Sequence, residues 1–123
     1  MKNLKTYPVL LMMITMLFLS CEELLTEENI SEEVVVLTAP SDEAAFPETD
    51  IVLSWEAVEG ADTYQLQIAR PSFEAALQIV QDSVLTQNHF PVHLDPNDYE
   101  WRVKALNSVY ETEFFTRSFT INE

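Results

Sequence analysis

Two histidines, His89 and His93, have the spacing at which a helix presents both imidazoles to one metal ion. Pro91 lies between them and prevents a regular helix, because proline has no amide N–H to donate. In a strand the same four-residue separation spans about 13 Å, which is too far for one ion. We therefore predict two surface histidines and no metal site.

Acidic side chains form a second candidate group. The clusters Asp42-Glu43 and Asp95–Asp98 could bind calcium weakly, although short acidic clusters are also typical of solvated turns. The sequence has no nucleophile elbow, phosphate-binding loop or Cys/His pair, and its single glycine cannot build a phosphate cradle. We expect a protein that is not an enzyme and uses no cofactor.

The one cysteine, Cys21, follows a short basic segment and an apolar run over Val9–Leu19 that is too short to span a bilayer. The ending Phe18-Leu19-Ser20-Cys21 resembles the lipobox of bacterial lipoproteins, although leucine is usual where Phe18 stands. This resemblance implies cleavage before Cys21 and its acylation, which makes the lipid bilayer an expected partner. The alternative is an ordinary signal peptide followed by an unpaired thiol.

Glu22 and Glu23 resemble the acidic export signal that sends some Gram-negative lipoproteins to the outer face of the outer membrane. Attachment facing the periplasm is the alternative. The stretch Glu22–Glu33 has six glutamates and few bulky apolar residues, a composition that predicts a flexible tether. The expected organisation is a signal peptide over residues 1–20, a lipidated cysteine and tether over 21–33, and one domain over 34–123.

The chain expected after cleavage has four Lys and Arg against 21 Asp and Glu, a net charge of −17. Such a surface repels phosphate backbones, so we exclude nucleic acid as a partner. The charge also argues against flat docking on an anionic membrane. Because one cysteine cannot form an internal disulfide, the domain must be held by its core alone.

Apolar and polar residues alternate along Tyr99–Ala105, with Tyr99 and Trp101 on the same face. This period of two is typical of a half-buried strand. Trp55 and Tyr64 lie on similar alternating runs, and large aromatic side chains contribute strongly to cores. We predict that these four aromatic residues form the centre of the core.

Seven short strands separated by turn residues predict an all-β, antiparallel β-sandwich. The segment Phe73–Val80 also has helical propensity, but we favour a bend followed by an edge strand. Pro91 places the strand that contains it at a sheet edge. The predicted strands are Val34–Thr38, Asp50–Trp55, Tyr64–Ala69, Leu77–Asp82, Thr86–Leu94, Tyr99–Leu106 and Thr116–Asn122.

Several stretches together resemble a fibronectin type III domain: Leu53-Ser54-Trp55, Tyr64-Gln65-Leu66-Gln67-Ile68, and Leu94–Ser108 with its Tyr-x-Trp-Arg-Val. The likeness covers about Val34–Asn122 and is particularly close to bacterial variants of the family. It implies that Trp55 stacks inside the core and that the Tyr99 hydroxyl ties the preceding turn. The family's Arg-Gly-Asp loop is absent, so integrin binding does not carry over.

Tyr110, Phe114 and Phe115 are the candidate ligand-binding residues, because three aromatic residues in an acidic loop could stack on a sugar or a protein. The alternative is that Phe115 or Phe114 begins the last strand and belongs to the core. Phe73 is a similar, secondary candidate. An exposed strand edge is a further candidate binding surface.

We expect a lipid-anchored protein of the cell surface that binds an unknown protein or glycan partner. One alternative is an accessory glycan-binding lipoprotein of a polysaccharide uptake system, to which the family resemblance also extends. Another is an envelope-assembly component facing the periplasm.

Overall fold

The computed structural model describes residues 26–123. The described chain forms eight strands and no helix, so it has no helix that could span a membrane. The strands are β1 (Leu37–Ala39), β2 (Ala44–Phe46), β3 (Asp50–Trp55), β4 (Thr63–Arg70), β5 (Gln78–Leu85), β6 (His89–His93), β7 (Asn97–Leu106) and β8 (Phe115–Ile121).

Two sheets pack face to face, one with three strands in the order β1-β3-β6 and one with five in the order β2-β8-β7-β4-β5. All neighbours are antiparallel except β2 and β8, which run parallel. The predicted all-β sandwich is confirmed, with eight strands rather than seven. The additional strand is β2, whose Ala-Ala-Phe sequence is too short and too uniform to show an alternating pattern.

The core contains the four predicted aromatic residues, all at most 5% exposed. The Trp55 ring meets Tyr64 edge-on at a centroid distance of 5.6 Å and lies 6.5 Å from Trp101. Tyr99 stacks on Phe119 at 5.4 Å. Aromatic pairs at these separations add to the stability that burial alone provides. The alternation on β7 therefore builds the contact layer between the two sheets.

The ambiguous segment after β4 is a bend followed by a strand, as favoured from sequence. Pro71–Leu77 turns back over the sheet, and β5 then pairs with β4 as an edge strand. The Ser72 hydroxyl accepts a hydrogen bond from the Ala75 amide, which favours a turn over a helix. β6, which contains Pro91, lies at an edge of the three-stranded sheet, as proline predicts.

Packing begins upstream of the predicted domain start at Val34. Ile30 is completely buried in the core, and the Asn107 side-chain amide donates hydrogen bonds to the carbonyls of Glu28 and Gly60. Gly60 has a φ of 86°, and a Cβ there would lie 3.0 Å from Ile30 Cγ2. The segment 28–33 therefore belongs to the folded domain, which shortens the predicted tether at its carboxyl end.

A buried phenol joins β7 to the preceding turn. Tyr99 Oη donates a hydrogen bond of 2.6 Å to the Asp95 carbonyl, as the resemblance to fibronectin type III domains implied. Burial raises the pKa of the Tyr99 hydroxyl above its usual value of 10. The positive charge of Arg70 partly offsets this rise, and the negative charge of Asp95 reinforces it. The neutral phenol is therefore the form that the folded chain favours.

We expect Tyr99→Phe to lower the free energy of unfolding by about 1 kcal/mol at pH 8, because the Asp95 carbonyl loses its donor. Since the folded-state pKa is raised, the wild-type phenol contributes fully below pH 10 and loses its contribution as the pH rises through that pKa. The deficit of the variant should therefore shrink at alkaline pH. Urea denaturation of both proteins at several pH values measures it, and a constant deficit would contradict this role.

Candidate binding face

The three aromatic candidates of the last loop lie in different surroundings. Tyr110 and Phe115 are half-buried and pack against the core, and Phe115 is the first residue of β8. Phe114 lies on the outer face of the five-stranded sheet, with its ring centroid 4.3 Å from Arg102 Cζ and 4.9 Å from Lys104 Nζ. Phe114 alone of the three therefore belongs to a solvent-facing group of side chains.

Arg102 is the centre of that group. Its side chain projects from β7 on the face opposite Trp101, because neighbouring strand residues point to opposite sides. The guanidinium carbon lies 4.0 Å from the centroid of the Phe73 ring, in addition to its contact with Phe114. Cation–π contacts of this kind stabilise by about 0.5–2 kcal/mol each. We call Phe73, Gln67, Arg102 and Phe114 the Arg102 cluster.

The orientation of Arg102 is fixed by side-chain amides on β4. Arg102 Nε donates a hydrogen bond of 2.8 Å to Gln67 Oε1. Gln67 in turn donates through Nε2 to Asp82 Oδ2 at 3.1 Å, and Gln65 donates to Asp82 Oδ1 at 3.0 Å. The Asp82 carboxylate on β5 thus sets the orientation of Gln67, and Gln67 sets that of Arg102.

The two rings reach Arg102 from opposite ends of the sheet. Phe73 lies in the bend after β4, and its backbone amide donates a 2.8 Å hydrogen bond to Glu100 Oε1. Phe114 comes from the loop before β8, at the other end. Two separate loops therefore converge on one guanidinium in the middle of the face. Sequence analysis named Phe73 as a secondary candidate and missed Arg102 as a site residue.

The histidines lie apart from this face, whereas Asp98 is on the outer side of β7, as Arg102 is, near the start of that strand. His93 Nδ1 lies 2.8 Å from Asp50 Oδ1 at the edge of the smaller sheet. Asp42 Oδ1 accepts a hydrogen bond from the Ser118 amide, and Asp98 Oδ1 accepts one from the Thr120 hydroxyl. Within residues 26–123, no group of three or more His, Cys, Asp or Glu side chains could hold a metal ion.

The edge strand β5 is a second exposed feature. It is eight residues long and contains neither proline nor lysine, the residues that commonly block strand edges. Ile79 is 50% and Val84 67% exposed on it. This edge has open backbone groups on its outer side, so an added strand could pair with it.

The candidate lipidation residue Cys21 and the candidate export residues Glu22 and Glu23 lie outside the described residues. The contacts of Glu28 show at which end of the sandwich the chain enters. Glu28 contacts the loop containing Gly60 and the loop beginning at Asn107. The chain therefore enters the sandwich at the end that holds the loops between β3 and β4 and between β7 and β8.

Solved structures similar to this two-sheet fold include fibronectin type III domains. The fn3 domain of the human collagen alpha-1(XX) chain is 19% identical with a TM-score of 0.56, over 76% of this chain and 90% of that one. The fibronectin(III)-like modules of Clostridium thermocellum CbhA are 12% identical with a TM-score of 0.51, over 72% and 96%. No protein-family model and no curated protein matches the chain. The chain has a fibronectin type III-like fold.

Proposed function

We propose that the protein is a non-enzymatic binding module held on a membrane by a lipid on Cys21. Glu22 and Glu23 would direct it to the outer surface of the outer membrane. The observation that supports a binding role is the Arg102 cluster, because its side chains converge on the solvent side of the sheet rather than in the core. The partner is a protein or a glycan.

Binding of a glycan, as in an accessory lipoprotein of a polysaccharide uptake system, is the more specific form of this role. It is favoured by the flat outer face, on which aromatic rings lie beside neutral amide side chains. Small polar groups of fixed orientation next to apolar rings are typical of ligand sites. A periplasmic envelope-assembly component remains the alternative that a test of location addresses.

Protease treatment of intact cells tests the surface location. We expect external protease to remove the full chain, expressed in a Gram-negative host with an epitope tag after the exposed Glu123, while a periplasmic marker protein survives. Permeabilised cells provide the control in which both proteins are cut. Survival of the tagged chain in intact cells, with cleavage after permeabilisation, would place it in the periplasm and contradict surface display.

A further inference from the structure

Within residues 26–123, Arg102 has no acidic partner, although acids dominate this part of the chain. Residues 26–123 contain 19 Asp and Glu against four Lys and Arg. The ion pairs among them are formed by His93 and Lys104, and Arg102 makes only the Nε hydrogen bond to Gln67. Its Nη1 and Nη2 groups therefore have no acceptor within the described residues.

The carboxylates near Arg102 already have other donors. Asp82 accepts from Gln65 and Gln67, and Glu100 accepts from the Phe73 amide. Glu111 lies 3.3 Å from Lys104 Nζ. None of these acids forms an ion pair with Arg102 within residues 26–123, so its terminal nitrogens remain available to an acceptor from outside.

The guanidinium is also oriented in advance. Gln67 fixes Nε, and the Phe73 and Phe114 rings restrict the plane of the group. An arginine held in this way presents parallel N–H donors that match the two oxygens of a carboxylate. Restricting the side chain before binding lowers the entropy lost when a ligand binds.

We propose that the Arg102 cluster binds the carboxylate of an acidic glycan, such as a uronic acid unit. A singly charged anion fits, because the acids on this face, Asp82, Asp98, Glu100 and Glu111, outnumber Arg102 and Lys104, and a dianion would be repelled more strongly. This inference rests on the binding role proposed above and names its ligand.

A sugar fits the surroundings of Arg102 better than a peptide segment does. Asp82, Gln67, Arg102 and Thr116 lie on paired positions of four adjacent strands, a flat row of about 14 Å. Gln67, Gln65 and Thr116 can exchange hydrogen bonds with hydroxyl groups along this row. The row crosses the middle of the sheet, where the backbone groups are already paired. An extended peptide would instead pair with the open edge at β5.

Calorimetric titration tests the proposal on the full chain purified from membranes in detergent. The probes are sugar trimers in which two neutral units carry one terminal galacturonate, glucuronate or mannuronate, the methyl ester of each trimer, and a tripeptide with a single glutamate. We expect at least one uronate trimer to bind, with its ester and the peptide binding at least tenfold more weakly. Arg102→Lys keeps the charge but loses the paired donors, and should weaken binding about tenfold. Arg117→Lys is the matched control, since Arg117 Nη1 donates to the Pro40 carbonyl, and its affinity should be unchanged.

Thermal unfolding of each variant shows whether it is folded, and Phe114→Leu provides a second, milder change that should also weaken binding. Failure of all three uronates to bind, or equal binding by Arg102→Lys and the wild type, would overturn the proposal. Equal binding of ester and acid would leave glycan binding but remove carboxylate recognition. Equal binding of the glutamate peptide would contradict recognition of a glycan. Membrane location is read separately, so its failure is distinguishable from these results.

Discussion

Trp101→Ala should lower the free energy of unfolding by about 3–5 kcal/mol. Trp101 is fully buried in the middle of β7 and lies against Trp55, so truncation empties a space between the two sheets. Domains of this size are typically stable by about 5–15 kcal/mol, and the variant would keep only a part of that. Urea denaturation followed by tryptophan fluorescence measures the change through the remaining Trp55.

Trp101→Phe separates the loss of volume from the loss of the indole N–H. Among the described residues, Trp101 Nε1 is buried without a hydrogen-bond partner, so removing it relieves an unsatisfied donor. We expect this variant to be clearly more stable than Trp101→Ala. Val84→Ala is the surface control, because Val84 is 67% exposed and should change stability by less than about 0.5 kcal/mol. Equal losses in all three variants would contradict the central position of Trp101.

Cys21→Ser should move the protein from the membrane fraction to the soluble fraction. A serine hydroxyl does not replace the thiol in the lipid linkage. The variant therefore lacks the several acyl chains that stable membrane attachment requires. The strands and the buried core of the described residues lie within residues 30–121, so we expect the unfolding temperature to stay the same. Fractionation of cells, followed by immunoblotting and metabolic labelling with an alkyne fatty acid, measures both location and acylation.

An uncleaved leader could keep the serine variant on the inner membrane, so residues 1–20 are also replaced by a cleavable secretory leader in both proteins. The wild-type Cys21 behind that leader should lack the lipid and become soluble as well. A serine variant that remains in the membrane fraction after its leader is removed would refute anchoring through Cys21. Absence of the fatty-acid label from the wild type would refute it independently.

The fold was predictable where burial alternates along the chain. β3 has the same bounds in the prediction and the structure. The observed ends of β4 and β7 differ from the predicted ends by at most two residues. The ends of β5 and β6 shifted more, because both are edge strands with weak alternation. β2 was missed because it pairs with β8, far along the sequence, and local pattern contains no such information.

The candidate site was less predictable than the fold. Phe114 was identified by its aromatic side chain, but Tyr110 and Phe115 were grouped with it although they pack on the core. Sequence spacing cannot show that Phe73 and Phe114, 41 positions apart in the chain, meet at Arg102. That contact depends on how two loops fold back over the sheet.

In the amino-terminal segment, packing against the domain outweighs the charged composition that predicted a tether. The glutamates around Ile30 favoured a flexible tether, yet Ile30 is fully buried and Gly60 leaves room for it. Burying one isoleucine side chain contributes about 1.5–3 kcal/mol, and the hydrogen bond from Asn107 to the Glu28 carbonyl adds to it. Gly60 thus adopts a left-handed backbone conformation and also allows the close approach of Ile30.

In the proposed lipid-anchored form, the packing at Glu28 would limit how far the module stands from the bilayer. From an acylated Cys21 to Glu28 there are seven residue steps, or at most about 24 Å when fully extended. Charge repulsion from anionic headgroups acts over a Debye length of about 8 Å and would drive the acidic domain outward to the limit of that leash. In that proposed arrangement the end at which the chain enters would face the bilayer, and the face bearing Arg102, along the side of the sandwich, would look sideways toward molecules that move along the cell surface.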